Sequence, residues 1–516
     1  KKTDYGTLVL TANNSYTGDT VIQNGALQIG DGGTTGSVKG NIVLGNNDTD
    51  ETRLIYNHSD NVTVANVISG TGVLEKQGSN TLILTGENTY TGGSQVKDGI
   101  LQIGDGGTSG SIQGPVELVS VDSALVIDLS KNITLDSAIS GAGGLTQQGP
   151  GVTTVTVATT YTGETKITDG ELHLVGDGSI SESSKVTVDS VLDATGSNAS
   201  HIDLESINGN DQGIIKIGDK NLNITDAKDG VFAGVIEGAG GHVTVNAGTQ
   251  RLSGENTYTG GTGIDKDATL IIGDGGTKGS VIGEIAVDGT LIYDRSDRYT
   301  INPITGDGDI EFQGGGTGVV DTAQELTGEV VVTENNTLIV EGDGDLSKAE
   351  GVTNDGTLDV SGSNADDIRI GHLRGDEKGE VALGEKNLVI TNGDGSEYKG
   401  TIGGTGGFTV ETGKQILSGE NTYTGDTNIW PTAELQLGND DKAGSITSNV
   451  INEGILSGNG SMKDLLNKGT VSPGTDTSFG TLIVNGNYTS ENGKLILHEE
   501  LGGDASQGDR LVIAGN

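Results

Sequence analysis

The chain has no cysteine, one tryptophan, one methionine, four phenylalanines and five prolines in 516 residues. The absence of cysteine excludes a disulfide scaffold and thiolate metal sites. It suits a protein that crosses an oxidising compartment unfolded, where a premature disulfide would jam export. Aromatics make up 3% of the residues, so no ordinary core of Phe, Tyr and Trp can form. The 32% hydrophobic content is mostly Val, Ile, Leu and Ala, which suits many thin, similar layers. Cations are also scarce: 29 Lys and Arg face 72 Asp and Glu, a net charge of −43. Such a polyanion disfavours DNA, heparin and anionic lipid, and no nucleic-acid partner is expected. Its plain use is to keep a long β surface soluble and to discourage edge-to-edge stacking. No apolar run is long enough for a transmembrane helix, and no signal peptide is visible. The pattern is already under way at Lys1, as expected of a processed product or a piece of a longer chain.

Repetition is what the chain does have. The phrase Gly-Glu-Asn-Thr-Tyr-Thr-Gly occurs at Gly86–Gly92, Gly254–Gly260 and Gly419–Gly425, with looser copies at Ala12–Gly18 and Ala158–Gly163. Its tyrosines are Tyr16, Tyr90, Tyr161, Tyr258 and Tyr423, and an eroded copy falls at Leu326-Thr327-Gly328. The intervals are 74, 71, 97, 68 and 97 residues. A second marker, Gly-Asp-Gly-Gly-Thr at Gly30, Gly104 and Gly273, has variants at Gly176, Gly342 and Gly438, and gives intervals of 74, 72, 97, 69 and 96. The difference between short and long units predicts one extra coil of roughly 24 residues, so three coils against four. The two long units, Glu164–Gly260 and Glu329–Gly425, correspond in detail and imply duplication of a whole block.

Between the markers the apolar residues alternate: Leu8/Leu10, Leu27/Ile29, Leu82/Leu84, Leu101/Ile103, Leu270/Ile272, Leu338/Val340, Leu435/Leu437. That is the period of a half-buried strand, punctuated by Gly, Asn, Asp and Thr turns. No segment sustains helical spacing. Short strands at this coil length predict an all-β, right-handed, three-sided parallel β-helix of roughly 21 coils. The repeated tyrosine sits in a tight-turn context and is expected to pack structurally, its hydroxyl reaching a turn.

Tests for chemistry come back empty. There is no Gly-Asp-Ser-Gly or G-x-S-x-G nucleophile string and no Walker motif. The histidines His58, His173, His201, His242, His372 and His498 show no metal-ligand spacing. The Gly-Asp-Gly strings recur once per several coils rather than every nine residues, so they read as turns and not as a calcium roll. Carboxylates are too many and too dispersed to choose a catalytic pair. No catalytic residue, cofactor or metal is assigned.

The stretches Gly6–Gly30, Asn80–Gly104 and Gln250–Gly273 resemble the passenger-associated transport repeat of bacterial autotransporters. The strings starting at Ile455 (Ile-Leu-Ser-Gly-Asn-Gly-Ser), Asn467 (Asn-Lys-Gly-Thr-Val-Ser-Pro-Gly), Gly480 (Gly-Thr-Leu-Ile-Val-Asn-Gly-Asn-Tyr) and Gly508 (Gly-Asp-Arg-Leu-Val-Ile-Ala-Gly-Asn) resemble that family's autochaperone region. The resemblance covers nearly the whole chain. It implies a type V secreted passenger, exported through its own C-terminal outer-membrane β-barrel and displayed at the cell surface or released. It divides the chain into a β-helix stalk, 1–454, and an autochaperone-like cap, 455–516.

Similarity to antigen-43-like and diffuse-adherence-type adhesins implies a non-enzymatic adhesin that self-associates in aggregation and biofilm. Two alternatives stand beside it: a heterotypic adhesin for a host receptor or matrix protein, and a polysaccharide-acting β-helix. The chain departs from those adhesins in its twice-used long unit and in showing no tip domain. Arg374-Gly375-Asp376 is an integrin-type tripeptide and the one receptor-binding candidate; its plain explanation is a solvated turn. Which face self-associates is not readable from the sequence.

Overall fold

The computed structural model describes residues 1–45, 52–500, 502 and 506–515. The described residues form short strands and no helix, and the strands pair in parallel from coil to coil. The fold is a β-solenoid of about 24 turns. The expected 21 coils were too few because the coil is shorter than 24 residues. Leu82, Leu101, Leu125, Leu145 and Thr165 lie in successive register, at steps of 19, 24, 20 and 20. The 24-residue step is an exception, made by the Gly104–Ile112 turn.

Two compact units are present. The first comprises Lys1–Thr262 with Ser280–Ile282 and the second comprises Gly263–Gly279 with Gly283–Asn516. Within the first, strands rotate through three faces. Ile68–Gly70, Val73–Gln77 and Thr81–Leu84 are overlaid by Thr89–Tyr90, Ser94–Val96 and Ile100–Ile103. Inward leucines stack as fully buried columns, Leu82, Leu101 and Leu125 among them. Each such side chain contributes roughly 2 kcal/mol by burial, but only because the neighbouring coil covers it.

The structure corrects the three- and four-coil units. Tyr90 pairs beside Gly70, whereas Tyr161 pairs beside Gly141 on the next face round. The Thr257 and Thr259 amides, flanking Tyr258, donate to Ile236 and Gly238, which returns that copy to the face of Tyr90. The 71-residue unit therefore takes ten face-to-face steps and the 97-residue unit fourteen. The step, one strand and one turn of about seven residues, is the conserved quantity. Whole coils are not, so the phrase migrates around the solenoid instead of marking one corner.

Packing explains the phrase. Asn88, Asn256 and Asn421 are buried. Their side-chain oxygens accept from the Ile68, Ile236 and Ile402 amides at 2.9, 2.9 and 3.0 Å. Their amide groups donate to Ser111, Ser280 and Ser445 carbonyls on the following coil. The tyrosine hydroxyls pair with Ser94, Thr165, Thr262 and Thr427 at 2.6 to 2.7 Å. The closing glycine survives in every copy, the eroded one included. A Cβ at Gly92, Gly163, Gly260, Gly328 or Gly425 would overlap backbone of the coil beneath.

The first Gly-Asp-Gly-Gly-Thr glycine is also dictated by the next coil. Side chains of His58, Leu129 and Arg295 lie against Gly30, Gly104 and Gly273. His58 is buried, and neither ring nitrogen has a hydrogen-bond partner. Burial depresses its imidazole, outweighing Asp60 and Asp31, which act to raise it. Because the folded value lies below the unfolded one, the unfolded chain takes the proton first. Stability that is present above about pH 6.5 is lost as pH falls toward the folded value. His58→Leu, copying Leu129, is expected to flatten the acid side of the first unit's pH–stability curve and to stabilise it by about 1 kcal/mol at neutral pH. Thermal melts of both proteins across pH 5 to 8 check this.

Candidate adhesive surface

Alternation sends every second side chain of each strand outward, and coil register aligns these into rows. In the first unit Thr146, Lys166, Thr187 and Asn208 form one such row. Ile55, Glu75, Gln95 and Glu117 form another. Arg53 donates to Glu75 at 2.9 Å and to Gln95 at 3.3 Å, and Gln95 donates to Glu117 at 2.5 Å. Cations are repeatedly spent inside the stack in this way. Lys131 pairs with Glu87, Lys166 and Lys185 with Glu164, Lys228 with Glu205, and in the second unit Lys348 with Glu325. What remains on offer is chiefly hydroxyl, amide and surplus carboxylate, with scattered exposed lysines such as Lys39, Lys266 and Lys278.

The second unit carries a partly buried charge cluster. Glu329 begins the second long block and lies 3.1 Å from the buried His372 and 3.3 Å from Arg374. Thr353 donates to it at 2.7 Å. Burial works to raise the Glu329 carboxyl, but His372, Thr353 and Arg374 together hold it below its ordinary value. In the duplicate block Glu164 accepts from Thr187 at the same 2.7 Å. Asp394 adds a carboxylate 3.7 Å from His372.

The candidate tripeptide straddles this cluster. Arg374 lies in the strand Leu373–Arg374 and pairs with Thr353. Its guanidinium donates to His372 as well as to Glu329. Gly375 bridges to Tyr398. Asp376 is exposed in the following turn, 3.6 Å from Lys399, and its backbone amide donates to Asp355. Arg374 is thus fastened along a strand while Asp376 lies exposed on a turn, paired toward Lys399. Beside it, Glu334, Asp355, Asp376, Glu377, Lys378 and Lys399 line an open depression of about 550 Å³. Lys378 pairs with Glu334 at 2.5 Å, and Lys442 with Glu377 at 3.0 Å.

Coil stacking also assembles a group that linear spacing hides. Glu171, His173 and Asp193 present ligand-type atoms all within 4.8 Å of one another, the one such grouping among the described residues. The sequence-level assignment of no metal rested on spacing along the chain. Alternation does put Glu171 and His173 on one face, but Asp193 joins them only through a 20-residue coil step.

Near the C-terminal end, Asp440 accepts hydroxyl hydrogen bonds from Ser478, Thr475 and Thr477, which hold its carboxyl down at about 2. They pin the 475–478 turn beside a groove of about 540 Å³ whose lining includes Lys414, Glu434, Phe479 and His498.

These features describe a repetitive parallel solenoid with migrating repeats, polar rows and a clamped C-terminal turn. Residues 1–29, 74–103, 145–174, 243–272 and 410–430 match the passenger-associated-transport-repeat family, and 460–516 match the autochaperone domain type 1. The five repeats coincide with the Tyr16, Tyr90, Tyr161, Tyr258 and Tyr423 copies; the eroded copy at Leu326 lies outside them. Over 90% of its length the chain is 26% identical to the probable autotransporter YfaL of Escherichia coli (strain K12), of which it covers 43%. Over 38% of its length it is 31% identical to the adhesin BmaC autotransporter of Brucella suis biovar 1 (strain 1330), of which it covers 6%. The chain thus spans less than half the length of these relatives. It is an autotransporter passenger domain, of the kind displayed at the bacterial surface beyond the outer membrane.

Proposed function

We propose that this passenger is a non-enzymatic adhesin whose principal act is self-association between copies on neighbouring cells, in aggregation and biofilm. The stalk would be 1–454 and the folding cap 455–516. The observation that carries the reading is the rows of outward, mostly polar side chains in coil register, on a surface many of whose cations are committed within the chain. Each exposed hydrogen bond contributes little, but many in one register add through effective concentration. Similarity to a protein named an adhesin supports the class.

The net charge of −43 opposes any such pairing. The Debye length falls from about 30 Å at 0.01 M salt to about 8 Å at 0.15 M, so the repulsion is increasingly screened. Clumping of otherwise non-aggregating cells displaying the passenger is therefore expected to strengthen over that range. Settling assays check this; a steady loss of clumping with salt would falsify pairing through neutral polar rows.

A second reading is favoured by the open depression beside Asp376: a host receptor or matrix protein docking at Arg374, Gly375 and Asp376. Adhesion to host material by cells that do not clump would support it.

A further inference from the structure

We propose that Glu171, His173 and Asp193 form a binding site for a borderline divalent cation of the Zn²⁺ class, and that the site is a property of the first long block alone. The ligand set is one imidazole nitrogen and two carboxylate oxygens, a mixture that suits Zn²⁺ far better than Ca²⁺, which takes six to eight oxygens. Glu171 and His173 alternate outward on the strand Glu171–Leu174, and Asp193 is the direct register partner of His173 on the strand Val191–Asp193. The groups are half-buried, so desolvation is partial while an approach from solvent stays open. Metal–ligand bonds of about 2.0–2.2 Å require ligand atoms about 3–3.5 Å apart. The Glu171 and His173 atoms lie 2.6 Å apart in a direct hydrogen bond, closer than that spacing, so a cation would replace this bond and spread them. An Asp193 oxygen lies within 4.8 Å of both, so a cation that draws the three atoms together closes the triangle and leaves its other coordination positions open to water or to a group on a partner.

Two further observations carry the inference. Asp193 is oriented from behind: one of its oxygens accepts from the Thr195 amide at 2.9 Å and from the Thr195 hydroxyl at 2.6 Å. Supporting hydrogen bonds of this kind fix a carboxylate ligand. The duplicated block then supplies an internal comparison. There Asp359 accepts from Ser361 in the same way, at 2.9 and 2.6 Å, and its register partner is Ile339. Thr337 stands where Glu171 stands in the first block. The same fold is thus built with threonine and isoleucine at these places, so Glu171 and His173 are not demanded by coil stacking. Lys216, the register partner of Asp193 on the next coil, is the one nearby charge in that row that opposes a cation.

Calorimetric titration of the whole 516-residue chain with ZnCl₂ and with CaCl₂ tests the site. One equivalent of Zn²⁺ is expected to bind more tightly than Ca²⁺. H173I and E171T, which copy the duplicate and so keep the metal-free melting curve, should each weaken Zn²⁺ at least about tenfold. H201A, at an exposed histidine beside Asp203, should leave the titration unchanged, and K216Q should tighten it. The absence of Zn²⁺ binding, or a titration that H173I and K216Q both leave unaltered, overturns the proposal.

Discussion

Asn256→Ala is expected to loosen its coil by about 3 kcal/mol, and the loss should be local. The side chain answers the Ile236 amide and ties the Gly254 carbonyl of its own turn and the Ser280 carbonyl of the following coil. Alanine orphans a fully buried N–H, at about 1–3 kcal/mol, and removes the two donated bonds as well. A solenoid is stabilised by nearest-neighbour terms, so one global unfolding energy is the wrong observable. Native-state hydrogen exchange is the right one. Amides around Ile236 should exchange on the order of a hundredfold faster, while amides several coils away should not change. Asn256→Gln should recover much of the loss, because the eroded copy already works this way. There Gln324 accepts from the Ile304 amide at 2.9 Å and donates to Thr322 at 2.9 Å. Equal exchange in Asn256→Ala and the parent would refute the staple.

Tyr258→Ala should cost more, about 4 kcal/mol, since it empties one of the largest fully buried side chains and leaves a cavity in a layer that cannot collapse. Tyr258→Phe keeps the volume and gives up only the 2.7 Å bond to Thr262, at about 1 kcal/mol. Tyr16 supplies the contrast. It makes the same kind of bond, to Thr20 at 2.9 Å, but is 42% exposed. Tyr16→Ala should therefore cost under about 1 kcal/mol. Burial also pushes Tyr90, Tyr161, Tyr258 and Tyr423 up, to about 12 for Tyr423, and these four should resist ionisation until the coils open. Limited proteolysis of the three variants would rank them; a Tyr16→Ala as fragile as Tyr258→Ala would contradict the burial argument.

Much of this was legible in order of residues. Pairs such as Leu82/Leu84 and Leu101/Ile103 carry strand, face and stacking partner together, because a parallel solenoid repeats one local pattern. The tyrosine's structural role was legible for the same reason. The coil count was not. Intervals of 71 and 97 residues look like whole coils, but ten and fourteen steps fit equally well, and only the pairing of Tyr90 with Gly70 and of Tyr161 with Gly141 distinguishes them. The surface was less legible still. Arg374-Gly375-Asp376 reads as one motif along the chain, yet contacts distant in sequence divide it, Arg374 to Glu329 on one side and Asp376 toward Lys399 on the other.

Sequence alone determined the class of fold, its repeats and its place among autotransporter passengers, since each rests on a pattern within some 25 consecutive residues. Tertiary structure alone decided which face each repeat occupies, which cations are spent, and that Glu171, His173 and Asp193 meet. Those depend on the length of every intervening turn. One residue more or less in a turn shifts what lies above what, and the local pattern carries no record of it.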